Sequence, residues 1–272
     1  MAMRRLLPVL AGAFAAALLL PNVAVEARTL DDIIKSGSIK IGVHPVQPPM
    51  SVIDPAGNWS GFDIDVGNLL AERLGVKAEF VAQQVPDRVP NIISGRIDLS
   101  LGGLTRTPDR MKIIDYSFPL HTENMAVLTT DKYKDKKGYQ DFNDPKFTLV
   151  GCRGCTPSKF MQDNAPNAKL ELVEGTVDIV RMIAQGRADA SVANLDFYST
   201  FLKSYPDVKW YILPNIIRTA YDGIGVAKGN DTLRHWLNAW LYDIQSQGIH
   251  NQLWEKHHGM PPVVAVVPQP YW

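Results

Sequence analysis

Short apolar segments alternate with amphipathic ones along the chain. Ile39-Lys40-Ile41-Gly42-Val43 reads as a strand. Phe62, Val66, Leu69 and Leu70 follow at i, i+4, i+7 and i+8, one face of a helix, and Gly75 supplies its stop. Ala78 to Val81 reads as a second strand. Val89, Ile92 and Ile93 lie on a short helix that Gly95 ends, and Ile97 to Leu101 form the next strand. This alternation predicts an α/β fold with a largely parallel sheet.

One segment recurs. Gly95-Arg96-Ile97-Asp98-Leu99-Ser100 returns as Gly186-Arg187-Ala188-Asp189-Ala190-Ser191, 91 residues later, each copy preceded by a helix-like pair (Ile92-Ile93, Met182-Ile183). Two copies at so long a period are not a solenoid. They predict two lobes of similar build, with common helix-stop chemistry as the competing explanation. Thr107-Pro108 and Thr156-Pro157 each follow a predicted strand. Thr caps a helix N-terminus, and Pro fits the first helical position because its missing N–H costs nothing there. Ligands of open α/β sheets bind beyond the C-terminal strand ends, and helix N-termini attract anions. Two such ends facing each other would form a cleft between lobes. Taken singly, each reads as an ordinary capped surface helix.

The N-terminus bears on the compartment. Arg4 and Arg5 precede an apolar run of 15 residues from Leu6 to Leu20, and Val25-Glu26-Ala27 presents small residues where a signal peptidase reads. A signal peptide over 1–27 is expected, with an exported mature protein. A membrane anchor needs about 20 apolar residues, and Pro21-Asn22 ends the run early. No later segment reaches transmembrane length, so a soluble mature chain is expected.

Charge and cysteines narrow the chemistry further. The 272 residues carry 28 basic and 28 acidic side chains, and removal of Arg4, Arg5 and Glu26 leaves a net charge of −1. No basic excess exists to grip a phosphate backbone, so nucleic acid is not an expected partner. An apolar content of 46% suffices for a sizeable core. Cys152 and Cys155 are the only cysteines. In the cytosol their spacing would suggest a redox pair or half a zinc site. In an exported protein the oxidised pair is the default, with two free thiols the alternative. A second pair of zinc ligands is not evident, since His257-His258 is adjacent, and neither metal nor cofactor is expected.

A set of motifs resembles the periplasmic solute-binding proteins of amino-acid ABC transporters, the family 3 extracellular solute-binding proteins. They are Gly61-Phe62-Asp63-Ile64-Asp65, Gly95-Arg96-Ile97-Asp98, Gly103-Leu104-Thr105-x-Thr107-Pro108-Asp109-Arg110 and Asp115-Tyr116-Ser117-x-Pro119. Gly154-Cys155-Thr156, Gly186-Arg187-Ala188-Asp189 and Gly223-Ile224-Gly225-Val226 fit as well. The resemblance covers roughly residues 30–260. It implies a two-lobed Venus-flytrap fold of the type II periplasmic-binding class with two hinge crossings. Lobe 1 would be 28–122 plus 218–260, lobe 2 would be 123–217, and 261–272 would form an extended tail.

The resemblance also implies a binding site and partners. Arg110 would pair with a ligand carboxylate, as a guanidinium forks bidentately onto one; a surface pairing with Asp109 or Asp115 is the alternative. Thr105 and Gly103 match positions that hold an amino group. Thr156 and the N–H groups at Cys155 and Thr156 would complete the carboxylate site. The implied partners are an amino acid or small carboxylate and an inner-membrane permease, with the protein a monomer.

Departures matter as much. Asn194 stands where the family places an Asp that balances the ligand's ammonium, and Asp196 lies two residues on. His44 replaces an acidic selector, Gln47 a stacking aromatic and Met50 a Phe. The site is therefore expected to be polar and less cation-seeking, suited to a neutral polar or acidic amino acid, or to a carboxylate without an ammonium. A dehydratase-like enzyme on the same scaffold is the main alternative. His44, Asp196 and Asp222 are its candidate acids. A binding protein serving a sensor or partner enzyme is the other. His121, His235 and His250 read as structural or surface residues, and Trp236, Trp240 and Trp254 as core.

Overall fold

The computed structural model describes residues 27–195, 198 and 202–268. Asp196 and all but the last residue of the expected signal segment lie outside them. The first half runs α1 (Leu30–Ser36), β1 (Ser38–Val43), β2 (Val46–Gln47), β3 (Ser51–Ile53), β4 (Trp59–Ser60), α2 (Phe62–Leu74), β5 (Lys77–Ala82), α3 (Arg88–Ile93), β6 (Leu99–Ser100), α4 (Pro108–Met111) and β7 (Ile114–Thr130). It continues with β8 (Thr148–Cys152), α5 (Thr156–Asn164), β9 (Lys169–Val173), α6 (Thr176–Ala184), β10 (Ser191–Asn194), β11 (Trp210–Ile212), β12 (Arg218–Ala227), α7 (Asp231–Ser246) and α8 (Ile249–His258). Thr29 opens α1 through a capping box with Asp32, and Gly75 closes α2 at φ 72°.

The main sheet is mixed, which corrects the expectation of a largely parallel one. β1 pairs in parallel with β5 and β6, but β12 runs antiparallel to β6 and β7. The reason is β7. Its 17 residues form one strand, paired along Ile114–Met125 with β12 and along Met125–Thr130 with β10 and β11. β7 and β12 thereby carry the chain between a β5-β1-β6 group and a β8-β9-β10 group, the last tied by the Leu149–Ala190 bridge.

The recurring hexapeptide is one device used twice. Gly95 and Gly186 turn the chain at φ 67° and 68°. Asp98 then locks onto its neighbour strand: its N–H donates to the Lys40 carbonyl at 2.9 Å and its carboxylate accepts from the Lys40 N–H at 2.7 Å. Asp189 repeats this on Thr148, at 2.7 and 2.8 Å. The Ser100 and Ser191 hydroxyls each donate to the next carbonyl along the chain, Leu101 and Val192. A carboxylate that holds the neighbouring strand's backbone N–H just before its own strand begins explains why Gly and Asp recur at this spacing.

Phe62, at the start of α2, packs edge-on against Trp254 at 5.3 Å, with His121, His250 and His258 within 6.0 Å. Burial pushes His250 and His258 down to about 4, so both serve as neutral rings. Trp240 and Trp254 are buried, Trp236 half-buried and His235 exposed. Beyond α8, residues 261–268 form neither helix nor strand and bend at 263–264, and the Thr122 hydroxyl of β7 donates to the Val264 carbonyl at 2.5 Å.

Asp98→Ala and Asp189→Ala each leave a strand N–H without its acceptor. Each substitution should cost about 1–3 kcal/mol in urea unfolding. The double variant should lose the sum within about 0.5 kcal/mol, since the pairs share no partner. An unchanged midpoint would show that the lock contributes nothing.

Candidate functional site

One cleft collects the expected residues. His44, Gln47, Gly103, Thr105 and Arg110 come from the chain before or at the start of β7, and Cys155, Thr156 and Asn194 from the chain after it; all eight line the same cavity. The space within it is about 600 Å³ with the open solvent at its mouth included. Glu123 of β7 lines it too, together with Arg88, Thr176 and Tyr198, which the sequence did not single out.

Arg110 spans the cleft. Thr107 caps the short α4, its hydroxyl accepting from the Arg110 N–H at 3.3 Å. The guanidinium donates to the Thr105 carbonyl at 2.9 Å and, across the cleft, to the Gly154 carbonyl at 3.1 Å. The surface alternative fails: Asp109 pairs with Lys112 at 2.8 Å and Asp115 with Lys228 at 2.7 Å. Thr105 is held by backbone pairing with β12, as the Arg106 N–H donates to the Tyr221 carbonyl at 3.0 Å.

Opposite Arg110, the α5 N-terminus corrects one expectation. Cys155, not Thr156, is the N-cap; Thr156 is the first helical residue, and no side chain caps the helix. Cys152 and Cys155 form a disulfide with Cα atoms 5.4 Å apart, and Gly154 between them turns at φ 76°. The bridge fixes the turn that a capping side chain would otherwise define. The uncapped N–H groups and the helix dipole make this end attractive to an anion.

The second cation is Arg88, 4% exposed. It donates to the Gly103 carbonyl at 3.0 Å and to Gln47 Oε1 at 3.2 Å. Gly102 and Gly103 turn at φ 83° and 68°, which brings that carbonyl round. Burial, then the charge of Arg110, lowers Arg88 to about 10, so it stays cationic. His44 is neutral: burial and the Arg88 charge push it down to about 4. Its Nδ1 accepts from the Val46 N–H at 3.1 Å, which leaves the proton on Nε2.

Glu123 is the acid of the cleft, 1% exposed. Its Oε2 accepts from Asn194 Nδ2 at 2.6 Å and from the Thr105 hydroxyl at 3.3 Å. Asn194 Oδ1 is buried and has no hydrogen-bond partner among the described residues. Burial and the charge of Glu123 push the Tyr198 phenol up, so it remains neutral.

Further acids lie behind Arg88. Asp63 is fully buried, and His121 pairs with Asp222 at 3.1 Å. Ligand atoms of His121, Glu123 and Asp222 lie within 4.8 Å of one another, a spacing a metal could use. Arg88 already stands as a counter-charge there, so a dication would sit beside a guanidinium. Of the candidate catalytic acids, Asp222 is absent from the cleft lining and paired to His121, while His44 is on the lining. Asp196 is outside the described residues.

Burial raises Asp63 to about 7, opposed by the charges of His121 and Arg88. A carboxyl raised on folding contributes stability that is complete below its ordinary pKa and lost as pH rises through the folded value. Asp63→Asn should therefore gain in melting temperature over the wild type as pH climbs from about 4 to 8. Calorimetry across that range checks this; a constant difference would overturn it.

Comparison with known proteins agrees with this geometry. The family "Bacterial extracellular solute-binding proteins, family 3" matches residues 39–260. The L-arginine-binding protein of Pseudomonas aeruginosa is 28% identical, over 88% of this chain and 95% of its own length. Cyclohexadienyl dehydratase of the same organism is 22% identical, over 89% of this chain and 91% of its own. A crystal structure of an ancestral amino acid-binding protein, a precursor of cyclohexadienyl dehydratase, superposes with TM-score 0.78. Its identity is 30%, covering 84% of this chain and 99% of that one. With the mixed sheets, the two through-running strands and the cleft, the profile match establishes that the chain belongs to the family 3 bacterial extracellular solute-binding proteins.

Proposed function

We propose that the protein captures a polar or acidic amino acid outside the cytoplasm and hands it to the permease of an ABC importer. In this reading residues 28–122 with 218–260 close against 123–217, and Arg110 takes the ligand carboxylate. The observation that carries it is the position of the Arg110 guanidinium, between the Thr105 carbonyl and the uncapped end of α5. A carboxylate there would meet a bidentate donor from one side and backbone N–H groups from the other.

The side-chain class follows from what else lines the cleft. The neutral His44 offers Nε2–H, Gln47 its amide N–H₂, and Arg88 a second cation. These are donors, and they favour a side chain that accepts: a hydroxyl, an amide or a carboxylate. A cationic side chain would need an acid of its own, and among the described residues Glu123 is the only acid on the lining.

A thermal-shift screen of the twenty amino acids, followed by calorimetric titration, tests the reading. A ligand bound only by the folded state raises the melting temperature by mass action. Arg110→Ala should abolish the shift, a loss of about 2–5 kcal/mol for a buried carboxylate pair. Retained affinity in that variant would remove Arg110 from the site. L-Arginine and L-lysine should give no micromolar binding; a micromolar titration with either would overturn the side-chain class while leaving the capture role intact.

A further inference from the structure

We infer that Glu123 is the counter-charge for the ligand's ammonium, so that the cleft selects α-amino acids over acids without an amino group. The inference rests on the capture reading above and makes it more specific. It also reverses an expectation drawn from Asn194, whose loss of charge suggested a site with less use for a cation.

Three side chains that carry acceptors are joined at Glu123. The Glu123 carboxylate is one. Thr105 Oγ1 is the second: its proton goes to Glu123 Oε2 at 3.3 Å, which leaves the oxygen's lone pairs to accept from elsewhere. Asn194 is the third. Its amide N–H₂ donates to the same Oε2 at 2.6 Å, while its Oδ1 is buried with no partner among the described residues. An ammonium has three N–H donors, and these three oxygens match it in number and sign. The unsatisfied Oδ1 is an independent sign of a missing donor, because buried polar atoms are nearly always bonded.

Electrostatics point the same way. The described residues of the lining carry two guanidiniums and one carboxylate, one positive charge in excess. An acidic amino acid, with one ammonium and two carboxylates, balances that excess and gives Glu123 a partner of its own. Register fixes the place: Glu123 lies on β7 two residues before Met125, the partner of Asn194 on β10. The carboxylate therefore comes from the strand that joins the two halves, and it is gripped by Thr105 from one and Asn194 from the other.

Matched pairs test this by isothermal titration: each amino acid that shifts the melting temperature against its 2-hydroxy acid, with L-glutamate against 2-hydroxyglutarate and L-serine against glycerate always included. The wild type should favour the amino acid by about 30-fold or more, the scale of one buried charge pair. In Glu123→Gln, which keeps shape and loses charge, the ratio should fall to within about threefold. A merely structural Glu123 would lower the melting temperature and leave the ratio alone. Equal binding of amino and hydroxy acids by the wild type overturns the inference without any variant. If neither member of any pair binds, the capture reading falls and takes this inference with it. If both bind and Arg110→Ala abolishes both while the ratio is one, only the role of Glu123 is lost.

Discussion

Two guanidiniums stand in one cleft, and the arrangement around them depends on keeping the charge of one, Arg88, out of water. Arg88 is nearly inaccessible and feels the like charge of Arg110. Burying a charge costs several kcal/mol unless fixed acceptors and opposite charges replace the solvent. Arg88 obtains the Gly103 carbonyl, Gln47 and the fields of Glu123, Asp63 and Asp222. Each compensation constrains the fold. Gly102 and Gly103 must turn through positive φ, β7 must run unbroken to present Glu123, and Asp63 must sit in the first turn of α2. The cationic cleft is thus built into the junction of the main sheet and cannot be altered one residue at a time.

Much of this was legible in the sequence for physical reasons. Thr107-Pro108 could only open a helix, and a guanidinium in its first turn had few places to go except along the cleft. The repeated Gly-Arg-x-Asp-x-Ser was legible because the same backbone problem, starting a short strand beside its neighbour, was solved twice by Asp98 and Asp189. The eight expected lining residues met in one cavity because strand ends and helix starts share an edge in this architecture.

What escaped was long-range and electrostatic. Glu123 belongs to no motif. Its signal was a run of polar residues, His121-Thr122-Glu123-Asn124, between apolar neighbours in what proved to be one strand, all four buried. A polar stretch that ought to break a strand and does not is being used by something across from it. Arg88 belongs to no motif either, and only the Gly102-Gly103 turn, distant in sequence, reveals its burial. Thr156 misled in another way. Its capping chemistry was sound, but the Cys152–Cys155 bridge set the turn and moved the cap back one residue. The mixed sheet escaped because the antiparallel return of β12 pairs residues about a hundred positions apart.

Among the described residues Arg110 reaches across the cleft to Gly154, and Asn194 reaches Glu123 on the neighbouring strand; both contacts use groups to which the ligand reading assigns a role. A ligand favours a closed arrangement only by the difference between its affinities for the closed and open forms. Contacts that the protein makes to itself lower the cost of closing, but they also compete for the groups a ligand would use. Arg110 escapes this competition because a guanidinium has five donors and spends two of its nitrogens on carbonyls. Asn194 escapes it by donating with one end and keeping its oxygen for another donor. Asp at the same position would accept only, and it would repel Glu123 at 2.6 Å. Asn at 194 is thus the consequence of placing the carboxylate on β7: once Glu123 carries the charge, its neighbour must be neutral and must donate.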